Sequence, residues 1–515
     1  MTIYRLLGFF LLVHFPAFLL AADTDGDGMS DAFETEHGFN IGLADQNSNS
    51  IVDGQDDFFD NDGLGNAAEE LAGTDPNDAD TDDDGLTDAE ELGSGEFAVP
   101  ANVSGIAPAG DVSSVVAADL NGDGYPDLLA AFPDANPDDA DAVRWFAGDG
   151  AGGFGPAQSI TTLAREVYDV QAVDLDNDGD QDVLAADPVG DAFIWFENSG
   201  AGVFGPAQQI GNSPDGAVAL GAADLNGDGN LDVFGVSRDD NQIAWFANNG
   251  AASFGAANPV TSNALRPQDI EVYDIDADGD ADLLVAAIDS NSVFWFENDG
   301  SGSFAAEAVI TSSAIGANSV HVADVDGDGD GDVLATSQGD GRVSLYINDG
   351  AGGFSAAADL SNNQNQPGAF DVFAGDIDGD GDLDAVSVGF FSSELLLHLN
   401  TGGGTFANQQ PIASDSQNLV TVIVADLDAD GDNDVATGLL NDGPIFWYEN
   451  ISFSNPLLAD TDGDGFNDKD EQIAQTNARD PLDFPRNVPL LPAALLAALA
   501  ALLLFVGQLA GKRRE

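Results

Sequence analysis

The stretch Asp274-Ile275-Asp276-Ala277-Asp278-Gly279-Asp280-Ala281-Asp282-Leu283-Leu284-Val285-Ala286-Ala287 runs an acidic loop into an apolar segment, and its pattern, DxDxDGxxD, returns through the chain. With Asn allowed at the third place, copies start at Asp119, Asp174, Asp224, Asp274, Asp324, Asp376 and Asp426, spaced by 55, 50, 50, 50, 52 and 50 residues. An apolar run such as Val420-Thr421-Val422-Ile423-Val424-Ala425 leads into each copy, so each reads as two short strands joined by the acidic loop. A third apolar run follows, written WFENSG from Trp195, WFANNG from Trp245, WFENDG from Trp295 and WYEN from Trp447. The Asn and Gly that end it signal a hairpin turn, after which a fourth strand opens at Phe154, Phe204, Phe254, Phe304, Phe354 or Phe406. Four strands per unit and seven units of about 50 residues predict an all-β, seven-bladed β-propeller.

The seventh unit stops after Trp447-Tyr448-Glu449-Asn450, before any fourth strand, while Gly95-Glu96-Phe97-Ala98 ahead of the first unit matches Gly152-Gly153-Phe154-Gly155. The two orphans are expected to pair, sealing the ring over residues 95–450 and leaving no open sheet edge. All five Trp, at 145, 195, 245, 295 and 447, hold one repeat position, where Leu345 and Leu397 substitute in two blades. Replacement by Leu favours packing between blades over a sugar-stacking platform.

These units resemble FG-GAP/VCBS repeats, the propeller repeats of integrin alpha subunits and of many secreted bacterial proteins. The resemblance covers about 70% of the chain, and it implies that the acidic loop joins the first two strands of a blade and holds calcium. The residues support the same expectation. A hard divalent cation takes six to eight oxygens, which alternating carboxylates supply, with Gly at the sixth place allowing the sharp turn and the seventh giving only its carbonyl. The expected ligand sets are Asp119, Asn121, Asp123, Tyr125 and Asp127; Asp174, Asp176, Asp178, Asp180 and Asp182; Asp224, Asn226, Asp228, Asn230 and Asp232; Asp274, Asp276, Asp278, Asp280 and Asp282; Asp324, Asp326, Asp328, Asp330 and Asp332; Asp376, Asp378, Asp380, Asp382 and Asp384; and Asp426, Asp428, Asp430, Asp432 and Asp434. An acidic hairpin that merely solubilises needs no glycine at a fixed place, and its charges would repel.

Charge points the same way. Across 515 residues, 92 Asp and Glu stand against 12 Lys and Arg, a formal net charge of −80. That excludes a phosphate-backbone binder, which needs a basic footprint, so nucleic acid is not an expected partner. The chain is 43% hydrophobic with 32 Phe, unlike disordered acidic chains, so cations must offset the carboxylates. Cysteine is absent, which removes disulfides, thiolate catalysis and Cys-ligated zinc together.

Outside the repeats a second acidic loop appears. Asp23, Asp25, Asp27, Asp31 and Glu34 form one copy; Asp80, Asp82, Asp84, Asp88 and Glu91 a second; Asp460, Asp462, Asp464, Asp468 and Glu471 a third. The Glu falls at the twelfth place, the EF-hand formula, but no flanking helices are evident. Together with Gly73-Thr74-Asp75-Pro76-Asn77, the DTDxDG loops resemble thrombospondin type 3 repeats, which implies about three further calcium sites in segments 23–94 and 451–487. The copies at 45–56 and 58–69 are degraded and carry no metal expectation. Residues 1–22, with Arg5 before an apolar run, read as a secretory signal. Residues 493–510 are apolar and precede Lys512-Arg513-Arg514, long enough to span a bilayer. The 488–515 tail resembles, in layout, the C-terminal sorting signals of Gram-negative bacteria. Either a retained membrane anchor or removal by a sorting enzyme places the protein at the cell surface or outside it.

No Ser/His/Asp or HExxH arrangement occurs, so no enzyme chemistry is visible. The repeats hold five basic residues, Arg144, Arg165, Arg238, Arg266 and Arg342, all in or beside the connections from strand two to three or from one blade to the next. Those connections share the face opposite the acidic loops, where variation on a rigid scaffold builds binding sites. The arginines either bind an anionic glycan or protein ligand there or offset neighbouring acids. Glu271 and His321 occupy matching places in successive blades, as an acid/base pair lining the channel or as a packed polar contact. The reading is a surface-displayed binding or adhesion module; the alternatives are a polysaccharide lyase or hydrolase and a purely structural envelope or matrix protein.

Overall fold

A computed structural model describes Phe97 and residues 100–103, 111–133, 142–160, 166–211, 214–250, 252–260, 263–360, 366–379, 381–407, 409–413, 418–429, 431–440 and 444–450. The signal segment, both sets of flanking loops, the C-terminal tail, Arg165, Asp380 and Asp430 lie outside these residues. No helix among the described residues is long and apolar enough to cross a membrane.

Seven antiparallel sheets of four strands each form the blades of a propeller. In blade 4 the strands are Pro267–Tyr273, Asp282–Ala287, Ser292–Phe296 and Ala308–Thr311, paired in chain order. The middle strands of this blade are buried along their whole length, and the second strand is so in every blade, so they read as continuous Val, Leu, Ala and Phe rather than as alternating runs. The first strands of successive blades touch one another in a closed cycle, completed where Ser114–Ala118 meets Leu419–Ala425. They line a central channel. Blade 7 takes its outer strand from the other end of the chain: Ala101 pairs with Trp447, Asn102 with Phe446, and Phe97 bridges Asn450. The expected closure is therefore present, and the sheet edge of blade 7 is covered.

The tryptophans pack between blades. Each is 4 to 8% exposed, and Trp145, Trp245, Trp295 and Trp447 rest against Gly202, Gly302, Gly352 and Gly152 in the next blade. A Cβ on any of these glycines would sit 2.1 to 2.3 Å from the indole ring, and each glycine has positive φ. The indole needs both the missing side chain and the left-handed turn.

Candidate functional site

Each acidic loop folds around its first and last carboxylates. In blade 4, Asp274 accepts the N–H groups of Asp278 and Gly279 at 3.1 and 2.9 Å, which closes the turn. Asp282 is fully buried, and its two oxygens do separate work: one accepts Ile275 N–H at 3.1 Å, the other Asn298 N–H at 2.7 Å. The last Asp therefore staples the loop to the third strand as well as facing its centre. The same two bonds recur on Asp182, Asp232, Asp332, Asp384 and Asp434.

Carboxylate oxygens from the first, third and ninth places lie within 4.8 Å of one another in five loops: Asp174, Asp176 and Asp182; Asp274, Asp276 and Asp282; Asp324, Asp326 and Asp332; Asp376, Asp378 and Asp384; Asp426, Asp428 and Asp434. Three converging carboxylates, one fully buried, suit a hard divalent cation. In blades 1 and 3 the third ligand is an amide, and Asn121 and Asn226 donate to Asp127 and Asp232 at 3.0 and 2.7 Å. The fifth-place carboxylates stand outside the trios. Asp123, Asp178, Asp228, Asp278 and Asp328 each accept the N–H of the seventh residue at 3.0 Å. Burial, reinforced by neighbouring carboxylates, pushes Asp182 up to about 7 and Asp127, Asp232, Asp282 and Asp332 up to about 6. Without a cation, protons are the available counter-charge at the loop centre.

A residue the sequence reading took for a turn former does more. The Asn ending the third strand is buried in six blades, at 198, 248, 298, 348, 400 and 450. Asn298 Nδ2 donates to Leu225 O of the preceding blade at 2.9 Å and to Ala281 O of its own loop at 3.0 Å. Its five counterparts make the same pair of bonds, each latching one blade's acidic loop to the next. The repeat spacing was the signal that could have identified them, since each Asn lies 24 residues after the first loop Asp.

On the opposite face the described arginines divide. Arg144 is buried, with its guanidinium 4.4 Å from the centre of the Phe132 ring. Arg238 pairs with Asp239 at 3.7 Å and lies over Tyr168 at 5.2 Å; Arg342 pairs with Asp340 and Asp359 at 3.5 and 3.9 Å. Arg266 is exposed, on a backbone with φ of 54°, and its N–H donates to Asn241 Oδ1. The same connections carry exposed Val189, Leu265, Ile315 and Phe391, four of the seven large apolar side chains exposed among the described residues. That face thus sets exposed apolar side chains beside its arginines and their acidic partners.

The channel holds what the sequence did not assemble. Five residues before each acidic loop, the first strands place Asp169, Asp269 and Asp371 in blades 2, 4 and 6, alternating with Ser114, Ala219, Ser319 and Thr421. Each Asp bonds to the next blade: Asp169 accepts Leu220 N–H, Asp269 accepts Val320 N–H and Asp371 accepts Val422 N–H, at 2.9 to 3.1 Å. Ser114 and Ser319 donate to Asp169 and Asp371 from the preceding blade. Burial pushes Asp169 up to about 7 and Asp269 up to about 8, and raises Asp371. Two residues further along, His321 Nδ1 lies 3.0 Å from Glu271 Oε1, and its ring stacks on Phe373 at 4.3 Å. Glu271 also accepts Val322 N–H at 3.1 Å. Burial opposes charge on His321, but Glu271 and the nearby aspartates prevail and raise it. By contrast, Ser387 and His398, 2.8 Å apart, are both fully buried inside blade 6 and reach no cavity surface.

A family model described as FG-GAP-like repeat matches residues 119–185, 174–235, 224–285, 274–335 and 329–387. A second, described as bacterial TSP3 repeat, matches 23–38, 60–79 and 460–483. The middle match takes in the copy read as degraded, while the loop at 80–91 lies just beyond it. No curated relative matches the chain. Among solved structures, an Agrocybe aegerita lectin that recognises non-reducing terminal N-acetylglucosamine is similar at 22% identity over 60% of this chain and 81% of its own, with a TM-score of 0.46. The virginiamycin B lyase of Staphylococcus aureus is similar at 11% identity over 68% and 99%, with a TM-score of 0.49. A V. cholerae biofilm matrix protein is similar at 13% over 71% and 93%, with a TM-score of 0.44. These likenesses concern the fold.

Proposed function

Since the chain belongs to the family of FG-GAP-like repeat proteins, we propose that it is an exported, calcium-stabilised propeller that binds an extracellular glycan or protein at the cell surface. The carrying observation is that seven blades repeat their acidic loops while the opposite face and the channel do not repeat. The repeated carboxylate trios supply a rigid frame when filled by calcium, and bacterial TSP3 repeats on both sides extend the same chemistry. The non-repeating connections, with Arg238, Arg266, Arg342 and the exposed Val189, Leu265, Ile315 and Phe391, then offer a surface for recognition. Arg165 belongs to the same set by its place in the repeat. The apolar tail at 493–510 serves as the membrane attachment, retained or removed after export.

The test is retention of the full chain, solubilised in detergent, on acidic and neutral polysaccharides in about millimolar calcium and again with EGTA. Saturable retention that EGTA abolishes supports the reading. No retention on any glycan by folded protein sends the weight to a protein partner or a structural role. One observation favours a second reading, a polysaccharide-degrading enzyme: the Glu271–His321 pair faces the channel cavity. Reducing ends or unsaturated products released from a retained polysaccharide would establish it.

A further inference from the structure

The channel encloses a cavity of about 440 Å³, within the range of small-ligand pockets and too small for a folded partner. Leu440, from the connection after the second strand of blade 7, and Phe370, 6.0 Å from Phe390, place one end of the cavity at the non-repeating face. Two sets of the polar groups lining it bear on a ligand. Asp169, Asp269 and Asp371 already accept backbone N–H groups or hydroxyls, so their lone pairs are largely committed. Gln171, Gln268, the Thr421 hydroxyl and His321 Nε2 line the same space and have no side-chain partner among the described residues. His321 keeps 15% of its side chain accessible, while Glu271 holds its other ring nitrogen and Phe373 its plane. That imidazole is aimed and unspent.

The uncommitted set is two amides, a hydroxyl and an oriented imidazole, all groups that serve hydroxyl ligands well, since each hydroxyl both donates and accepts. Val372, Val422 and Phe373 give the cavity apolar walls for the C–H face of such a ligand. An anion would meet three aspartates, and a cation would find few carboxylate lone pairs open and a histidine whose neighbours favour its charged form. We propose that the channel is the binding pocket for a neutral, hydroxyl-rich group the size of a single sugar residue, held by Gln171 and His321. The inference rests on the reading of the protein as a binding module, and it moves the recognition point from the arginines into the ring. A pocket of this size takes the end of a glycan chain, not its middle.

The experiment uses the full chain, calcium-loaded in detergent, with methyl glycosides of glucose, galactose, mannose and N-acetylglucosamine as probes. Saturation-transfer NMR detects binding, and the ring signal of His321 is observed after selective histidine labelling, assigned by its disappearance in His321→Gln. At least one glycoside is expected to bind and shift that signal. Gln171→Ala and His321→Gln each weaken it about tenfold, the worth of one lost hydrogen bond. Because Gln171 has no side-chain partner among the described residues, Gln171→Ala reads binding without disturbing the fold. If a polysaccharide is retained but no glycoside binds, or both variants bind unchanged while Arg266→Ala does not, the channel proposal falls and the binding-module reading stands. If folded protein retains no glycan and binds no glycoside, the channel proposal falls together with the glycan half of that reading, and the weight passes to a protein partner or a structural role.

Discussion

At the C-terminal end of its first strand, every blade is nearly the same: an Asp opens the loop, a buried Asp closes it, and in six blades a buried Asn ties it to the blade before. Five residues earlier, the same strands carry Ser114, Asp169, Ala219, Asp269, Ser319, Asp371 and Thr421, and two residues on from these Val116, Gln171, Gly221, Glu271, His321, Phe373 and Ile423. One end of the strand is thus scaffold, and the other differs from blade to blade. The difference teaches where to look for each property: stability should respond to any change at the repeated end, and recognition only to particular changes at the other.

The largest effect expected is that of removing the cation from all repeated ends at once. If each site has a Kd of ~10⁻⁴–10⁻³ M, about millimolar calcium contributes on the order of 1 kcal/mol per site. Several such sites together approach the ~5–15 kcal/mol that a domain has in total. EGTA is therefore expected to unfold or loosen the ring, and a melting temperature indifferent to EGTA would remove the cation from the account. The pH dependence should change sign with it. Without calcium, the carboxyl of Asp182 is raised from 3.8 to about 7 by burial, so its contribution is fully present below 3.8 and lost as pH rises towards 7. The metal-free chain should melt higher at about pH 5 than at about pH 8. With calcium the loops are needed ionised, and the order should reverse.

Asp282→Ala comes next in size. It strips one trio of its buried ligand and leaves the N–H groups of Ile275 and Asn298 without their acceptor, at ~1–3 kcal/mol for each buried donor left unmade. Calorimetry in saturating calcium should show about 3 kcal/mol or more lost, with the remaining six blades still binding. The matching change five residues before the loop, Asp269→Asn, keeps the shape and one accepting oxygen. It is expected to cost less and, in calcium, to steepen the rise in stability between about pH 4 and 8, because burial raises Asp269 from 3.8 to about 8 and the contribution that the substitution removes is the one lost as pH climbs through that range. Equal losses for the two substitutions would erase the distinction between the ends.

Much of the scaffold was legible because it repeats. Seven copies in register gave the blade count, the four strands, the closure through Phe97 and the pairing of Trp with its neighbouring blade. The latch was misjudged for a physical reason: Asn298 is followed by Asp-Gly, a strong turn signal, and the turn is indeed there, but the buried amide reaches the preceding blade, a partner 73 residues away. The channel was legible only in part. Glu271 and His321 could be matched by repeat position, but nothing in one strand says that Asp169, Asp269 and Asp371 share a cavity, since the ring brings together residues about 100 apart. The arginines were legible in kind but not in detail. Their placement on one face was readable, but pairing with Asp239, Asp340 and Asp359, and the burial of Arg144 under Phe132, depend on rotamers.

Cutting a single latch is a smaller test of the repeated end. Asn298→Ala removes two hydrogen bonds and is expected to cost ~1–2 kcal/mol, with calcium affinity of the loops at 224 and 274 reduced together because the amide touches both. A change confined to one loop would show that the latch does not couple them.

The smallest effect concerns the one place where the repeated end breaks its own rule. Blade 1 has Gly148 where six blades have the buried Asn, so the Asn latch is missing between its loop and blade 7. The gap is not simply an omission, because Pro126 O lies where the side chain would start: a Cβ on Gly148 would be 2.1 Å from it. Gly148→Asn should therefore destabilise the ring rather than complete it. The junction between blades 7 and 1 relies instead on Trp447 against Gly152, on Val112 N–H donating to Leu439 O at 2.9 Å, and on the short pairing of Ala101 and Asn102 with the third strand of blade 7. Two paired residues hold that outer strand, against three in the outer strand Ala308–Thr311. Native-state hydrogen exchange in calcium should find the amides around residues 101–103 opening before those of any strand in blade 4. If the seam is instead as protected as the latched junctions, the indole and the backbone bonds alone suffice to join blades, and the Asn latch serves the cation loops and not the ring.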